Sequence, residues 1–253
     1  MKKIGILTNP TRDIGGEYRD YILASFPNIK FLLLENDDIE KLVKESNICI
    51  TLGGDGTMLN IASLCAKYNT YIYGINLGSV GYLTDVSKEK GIEAIKKLLL
   101  ENFEKEERMM IACDDYTALN DICIVKGSSS KMIILEIFIN GHFIDSFKAD
   151  GIIISTPTGS TAYNLAAGGP ILDPALDNII LTPIAPHKLS NRPLVVSANS
   201  EIRVRANNSQ LVVDGINKIF ADEYVIKKAS ENINILRTEK VSFYSIVKEK
   251  FLL

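Results

Sequence analysis

The run Asn47-Ile48-Cys49-Ile50-Thr51-Leu52-Gly53-Gly54-Asp55-Gly56-Thr57 passes from a strand-sized apolar segment through a glycine turn, and Met58, Ile61, Ala62 and Cys65 follow at helical spacing. It reads as a short buried strand feeding an amphipathic helix. A glycine-rich turn of this kind leaves unpaired backbone N–H groups at the positive end of the helix, where phosphate oxygens are attracted. Asp55 in that cradle would repel a phosphate unless a cation bridges the two or a hydroxyl proton is there to accept. Both exceptions belong to phosphoryl transfer. The plainer alternative is that Asp55 or Thr57 only caps the helix.

Outward from this turn, the first hundred residues alternate between strand and helix patterns. Strands are predicted at 3–8, 29–34, 47–52 and 70–75, and helices at 17–26, 38–45, 57–68 and 87–102. That alternation implies an α/β domain with a parallel sheet. Ligands of such sheets bind beyond the carboxyl ends of the strands, where the Gly53–Thr57 turn lies. The loop Asn76-Leu77-Gly78-Ser79-Val80-Gly81-Tyr82-Leu83-Thr84 belongs to the same edge, as a ligand-approach loop or a plain turn. From about Lys105 the period changes to two. Segments 132–139 and 142–148 flank Asn140-Gly141 as a hairpin, and 202–205, 211–213 and 233–235 read as further strands. The expected organisation is therefore an α/β domain over 1–103 and a β-rich, sandwich-like domain over 104–236. Periodicity does not place 237–253.

Composition narrows the function classes. The chain has 253 residues, a net charge of −3 and 46% apolar residues, values of an ordinary globular protein with no electrostatic reason to expect nucleic acid. No basic run points to an anionic membrane surface, and the apolar stretches are too short to span a bilayer. Residues 1–10 are basic and then apolar, but break too early for a signal peptide and read as a first strand. The four cysteines, Cys49, Cys65, Cys113 and Cys123, form no Cys-x-x-Cys, so buried thiols in a reduced cytoplasm are expected. With His142 and His187 the only histidines, a histidine triad or multi-histidine metal site is disfavoured.

The second unusual passage is Asp150-Gly151-Ile152-Ile153-Ile154-Ser155-Thr156-Pro157-Thr158-Gly159-Ser160-Thr161-Ala162-Tyr163-Asn164-Leu165-Ala166-Ala167-Gly168-Gly169-Pro170. A strand runs into a loop crowded with hydroxyls and then a short helix. Ser160 or Thr161 would suffice as a cap. The remaining hydroxyls, the glycines and Tyr163 suit a nucleotide-sized ligand, with the ring as a stacking face.

With these motifs in order, the chain resembles the NAD kinases of the bacterial type. The resemblance rests on Gly53-Gly54-Asp55-Gly56-Thr57, Asn76-Leu77-Gly78 with Gly81-Tyr82-Leu83-Thr84, Leu119-Asn120-Asp121, the 150–170 passage, and Thr182-Pro183-Ile184-Ala185-Pro186-His187. The Gly-Gly-Asp-Gly turn is shared with lipid kinases and phosphofructokinases; the 150–170 passage is the specific part. The resemblance implies transfer of the γ-phosphoryl of ATP, with Mg²⁺ or another divalent cation, to the 2′-hydroxyl of the adenosine ribose of NAD. It also implies a homodimer or homotetramer whose site, between the two domains, is completed by a neighbouring subunit. Asp55 would be the proton acceptor, and Gly56 would let the backbone approach the dinucleotide. Asn120 and Asp121 would bind adenosine, with Thr161, Ala162, Tyr163, Asn164, Leu165 and Ala166 lining its pocket and Tyr163 stacking. Lys148, Asp150 and Ala185 would serve the nicotinamide side.

The chain departs from the family pattern at several positions. Asp121 stands where many relatives have glutamate, and Ala166 where a serine is common. Ile216, after Asp214-Gly215, stands where a polar residue is common, and no binding role is assigned there. Asn60 occupies a position that is basic in some relatives. Alternatives are a lipid kinase of the diacylglycerol or sphingosine type and a non-catalytic dinucleotide sensor. The first is disfavoured by 158–170 and by the lack of a membrane-binding segment. No Gly-x-x-x-x-Gly-Lys-Ser/Thr or Gly-x-Gly-x-x-Gly occurs, which excludes a P-loop kinase and a dinucleotide oxidoreductase of the usual kind.

Overall fold

Every residue from Ile48 to Gly53 is buried, as a strand covered on both faces by crossover helices must be. The computed structural model describes residues 2–34, 36–78, 81–127, 131–188, 191–240 and 242–251. Ser79 and Val80 of the loop after the fourth strand, and Val241, Leu252 and Leu253 of the C-terminal segment, lie outside the described residues. Strands β1 (Ile4–Thr8), β2 (Phe31–Leu33), β3 (Ile48–Gly53) and β4 (Tyr71–Asn76) are parallel, with Ile4 opposite both Phe31 and Ile48, and Ile48 opposite Tyr71. Helices α1 (Glu17–Ser25), α2 (Ile39–Glu45) and α3 (Asp55–Lys67) are the crossovers. A short β5 (Val86–Ser87) pairs with the end of β4, and α4 (Gly91–Leu99) and β6 (Glu104–Arg108) follow. The predicted helix at 87–102 is thus shorter, its start taken by β5 and a 3-10 turn. Helix α3 begins at Asp55 rather than Thr57, because Gly54 already holds the extended conformation of an N-cap (φ −112°, ψ −171°).

The second unit is antiparallel. It contains β7 (Ile111–Cys113), β8 (Tyr116–Ala118), β9 (Asp121–Lys126), β10 (Ile133–Ile139), β11 (His142–Ala149), β12 (Gly151–Ser155), the short α5 (Tyr163–Ala166), β13 (Asn178–Ile184), β14 (Leu194–Ser197), β15 (Ile202–Val213) and β16 (Ile216–Lys228). The strand order is β14-β13-β12-β9-β15-β16-β7-β8, with β10 joining β11 to β15. Two tight hairpins set the register. Asn140 and Gly141 (φ 52° and 80°) turn β10 into β11, and Asp214 and Gly215 (φ 46° and 81°) turn β15 into β16. Positive φ at both central residues is what the Asn-Gly and Asp-Gly pairs accommodate. The strands expected separately at 202–205 and 211–213 form one continuous β15. The polar stretch between them is a bulge, where the pairing with β16 shifts between Arg205 and Ser209. There the Ser209 hydroxyl donates to the Ala206 carbonyl at 2.6 Å, so local side-chain bonding replaces part of the ladder.

The chain then returns to the first sheet. Strand β17 (Ile233–Arg237) lies between β4 and β6 and is parallel to β4, with Ile235 opposite Ile72. This corrects the expectation that 233–235 belongs to the β-rich part. The compact units are Met1–Glu107 with Ile233–Leu253, and Arg108–Asn232. The C-terminal segment carries α6 (Phe243–Phe251). All four cysteines are buried and unpaired, and no helix among the described residues is long and apolar enough to cross a membrane.

Candidate active site

In the first unit, Asp55 is the first residue of α3, yet it does not cap its own helix. Its carboxylate reaches the loop after β4. Oδ2 accepts the Tyr82 amide at 2.8 Å, and Oδ1 accepts the Leu83 and Thr84 amides at 3.1 Å each. The Thr84 hydroxyl lies 3.3 Å from Oδ1 and itself accepts from the Asn76 side-chain amide at 3.0 Å and the Gly81 N–H at 3.1 Å. With both of those groups donating to it, the hydroxyl directs its single proton at Asp55. Among the described residues, Oδ1 therefore has three donors and is saturated, while Oδ2 has one and keeps a lone pair. Gly81 is required by this approach, since a Cβ there would sit on the Asp55 carboxylate. The capping alternative for Asp55 thus gives way to a loop-anchoring one. Thr57 is likewise no cap: it is buried, with its hydroxyl 3.3 Å from the Asn9 side-chain amide. Gly56 is exposed, with open space where a Cβ would stand.

In the second unit, Leu119-Asn120-Asp121 is held in the same way. The Asp214 carboxylate accepts the amides of Leu119 and Asn120 at 2.8 Å and of Asp121 at 3.0 Å, and the Asp214 N–H returns a bond to the Asp121 carbonyl at 3.0 Å. Thr156 closes the other side, its hydroxyl donating to the Leu119 carbonyl at 2.6 Å and its amide to the Asn120 carbonyl at 2.9 Å. Gly159 packs so closely that a Cβ would collide with that Asn120 carbonyl. The Asn120 side chain is half-buried and, among the described residues, has no hydrogen-bond partner. Sequence reading left Asp214 without a role; its Asp-Gly turn signal is also the signal of this anchor.

Asp121 is 5% exposed, and burial together with the Asp214 charge pushes its carboxyl up to about 6, against a weak opposing bond from the Cys123 thiol. A carboxyl raised on folding from 3.8 to about 6 favours the fold while protonated. That contribution is complete below about pH 4 and lost as pH rises through about 6. Asp121→Asn should therefore exceed the parent in stability at pH 7.5 by about 1–3 kcal/mol, with the gap closing toward pH 4. Urea denaturation of the ligand-free proteins at both pH values measures this.

The 150–170 passage divides its residues between ligand face and scaffold. Tyr163 is 46% exposed, and its phenol is raised by burial and then by the neighbouring Cys123, Asp121 and Asp150 groups, which places these side chains together. Thr161 and Ala162 are half-buried, Ala166 is exposed, and Leu165 is half-buried. Asn164 differs from the lining role expected of it. Its amide donates to the Ser160 and Pro170 carbonyls at 3.0 Å each, and its oxygen accepts the Thr182 hydroxyl at 2.7 Å. The side chain is committed inward and holds the loop.

Lys148, Asp150 and Ala185 gather where β11, β12 and β13 meet. The Lys148 carbonyl accepts the His187 amide at 2.9 Å, and the Asp150 amide donates to the Ile184 carbonyl at 3.0 Å. Lys148 is exposed, and Ala185 is exposed with φ +45°, a left-handed conformation costly for a residue with a Cβ. Asp150 is paired with Lys126 at 2.7 Å, a partner the sequence reading did not name.

Residues 27–103 match the family model described as ATP-NAD kinase N-terminal domain, and residues 119–238 match ATP-NAD kinase C-terminal domain. The chain is 34% identical to the NAD kinase of Thermoanaerobacter sp. (strain X514), covering 99% of each, and 36% identical to that of Desulforamulus reducens, covering 99% of this chain and 97% of the relative. Among solved structures it is similar to yeast NADH kinase complexed with NADH (TM-score 0.87, 26% identity, covering 98% of this chain and 87% of that one). It is also similar to an NAD kinase from Archaeoglobus fulgidus in complex with ATP (TM-score 0.84, 30% identity, 94% of each chain).

Proposed function

The chain belongs to the NAD kinase family of ATP-using phosphotransferases, and from that premise we propose that it transfers the γ-phosphoryl group of ATP to the 2′-hydroxyl of the adenosine ribose of NAD, giving NADP and ADP. The observation that carries the proposal is the Asp55 carboxylate, held by three backbone amides and a hydroxyl, with Oδ2 open to a further donor among the described residues. A ribose hydroxyl donating to Oδ2 would lose its proton there as its oxygen bonds to phosphorus. Because the loop already fixes the carboxylate, little reorganisation is needed at the moment of transfer. Lipid-kinase and sensor readings are not favoured by relatives that are named NAD kinases along their whole length.

Asn120 and Asp121 hold the adenosine part, with Thr161, Ala162, Tyr163, Leu165 and Ala166 around it, Asn164 contributing through its backbone and Gly56 admitting the substrate closely. Tyr163→Ala should weaken NAD binding by about 1–3 kcal/mol by titration calorimetry, with kcat nearly kept. An unchanged Kd would remove stacking from the account. Lys148, Asp150 and Ala185 serve the nicotinamide side, within a homodimer or homotetramer that shares site residues between subunits in the cytoplasm. What supports this group is its convergence at one end of β11 to β13. Among the described residues no three His, Cys, Asp or Glu side chains converge as a metal cage. A Mg²⁺ would enter as part of the substrate, carried on the phosphates of ATP and offsetting their charge.

The acceptor atom is tested with NAD lacking the adenosine-ribose 2′-hydroxyl. The analogue should bind with affinity near that of NAD and give no ADP above the rate seen without acceptor. ADP formed at the parent rate would put the transfer elsewhere on the dinucleotide.

A further inference from the structure

The loop that anchors Asp55 is gripped from its other side by a residue from the far end of the chain. The Arg237 guanidinium donates through Nη2 to the Tyr82 carbonyl at 3.3 Å and through Nη1 to the Leu83 carbonyl at 2.9 Å. The Tyr82 carbonyl and the Leu83 amide belong to one peptide unit, and the Leu83 carbonyl and Thr84 amide to the next. Both amides donate to Asp55 Oδ1. Two consecutive planar peptides thus lie between a cation and an anion, carbonyl ends toward Arg237 and N–H ends toward Asp55. A trans peptide is rigid, so fixing its carbonyl fixes the direction of its N–H. Each unit also carries a dipole of about 3.5 D aligned with the field of the two charges, and hydrogen bonds in such a chain polarise one another.

Arg237 is itself held. Its Nε donates to Glu106 at 3.0 Å, and the Asp85 carboxylate lies 3.9 Å from Nη1. Asp85 is 2% exposed on its side chain and is fixed in turn by the Tyr73 hydroxyl at 2.8 Å and by the Thr238 amide at 2.9 Å and hydroxyl at 2.7 Å. The Arg237 side chain is 13% exposed. The guanidinium is thus largely enclosed, and its planar fork suits two carbonyls and a carboxylate at once, which a lysine cannot reproduce.

We propose that Arg237 is a positioning residue for phosphoryl transfer, acting through the Tyr82–Leu83 and Leu83–Thr84 peptides to aim the Asp55 carboxylate. The inference rests on Asp55 being the proton acceptor of the reaction. Strand β17 lies outside the turn and loop motifs that mark the active site in sequence, so its return to the first sheet has a catalytic consequence as well as a topological one.

The test compares kcat and KM for NAD and ATP in the full chain as parent, Arg237→Met, Arg237→Lys, Asp55→Asn and Asp55→Asn/Arg237→Met, with thermal melts of each. Arg237→Met should lower kcat about 10- to 100-fold, with both KM values within about threefold of the parent. Arg237→Lys, which keeps the charge and one carbonyl contact, should recover part of that loss and covers the case in which the methionine variant fails to fold. In the Asp55→Asn background, Arg237→Met should add less than about twofold, because its only route to the chemistry is gone. Parent-like kcat in folded Arg237→Met and Arg237→Lys, a loss confined to KM, or a full additional loss on top of Asp55→Asn would each overturn the inference while leaving the Asp55 reading standing. Parent-like turnover in Asp55→Asn would remove that reading and this inference with it.

Discussion

Asp55→Asn should lower kcat by about 10²–10⁴-fold while the Kd for NAD stays within about threefold. The carboxylate receives three backbone amides and the Thr84 hydroxyl, and its remaining lone pair is the one offered to the substrate proton. An asparagine in its place presents one oxygen and one NH₂. Turned either way, it sets that NH₂ against at least one amide donor of Tyr82, Leu83 or Thr84, so the variant loses the proton acceptor and loosens the loop together. Steady-state rates with saturating NAD and ATP give kcat, and calorimetry gives the Kd. Equal losses in turnover and in NAD affinity would show Asp55 acting as a binding group only.

Asp214→Ala carries the largest expected cost to the second unit. Three amides, those of Leu119, Asn120 and Asp121, lose their common acceptor, and each donor left dry costs of order 1 kcal/mol or more. The expected destabilisation is about 2–4 kcal/mol in urea unfolding. NAD affinity should fall about tenfold, because the segment presenting the Asn120 side chain is no longer fixed. Asp214→Asn, which keeps one acceptor oxygen, should fall between parent and alanine in both measurements. Stability and affinity at parent values in the alanine variant would show that the strand ladder alone shapes 119–121.

Residues whose own chemistry dictates local structure were legible in the sequence. Ile48 to Leu52 must be covered on both faces, and Asn140-Gly141 supplies the positive φ that a two-residue hairpin needs. What was not legible depends on partners that side-chain patterns do not encode. Residues 233–235 read as a strand from their alternation, but alternation does not name the neighbour, and β4 rather than the antiparallel sheet received them. Residues 207–209 are polar and interrupt the alternation, yet Ser209 satisfies the bulge locally and β15 continues through it.

The site shows the same division. The Gly-Gly-Asp-Gly turn and the 150–170 passage stand out as motifs, but three of the four partners of Asp55 are backbone amides, which leave no mark in residue type. The resemblance places Asn164 among the residues lining the pocket, while its side-chain amide spans Ser160, Pro170 and Thr182. Lys126 and Arg237 escaped notice, and Asp214 received no role, because each acts by holding another group.

The central claim is tested most directly by incubating the purified protein with NAD, ATP and Mg²⁺ and reading NADP through an NADP-specific dehydrogenase, with diacylglycerol replacing NAD in a parallel reaction. The account predicts NADP formed in step with ADP and no phosphorylated lipid. Absence of NADP while NAD is bound, or transfer of phosphate to the diacylglycerol, would contradict it.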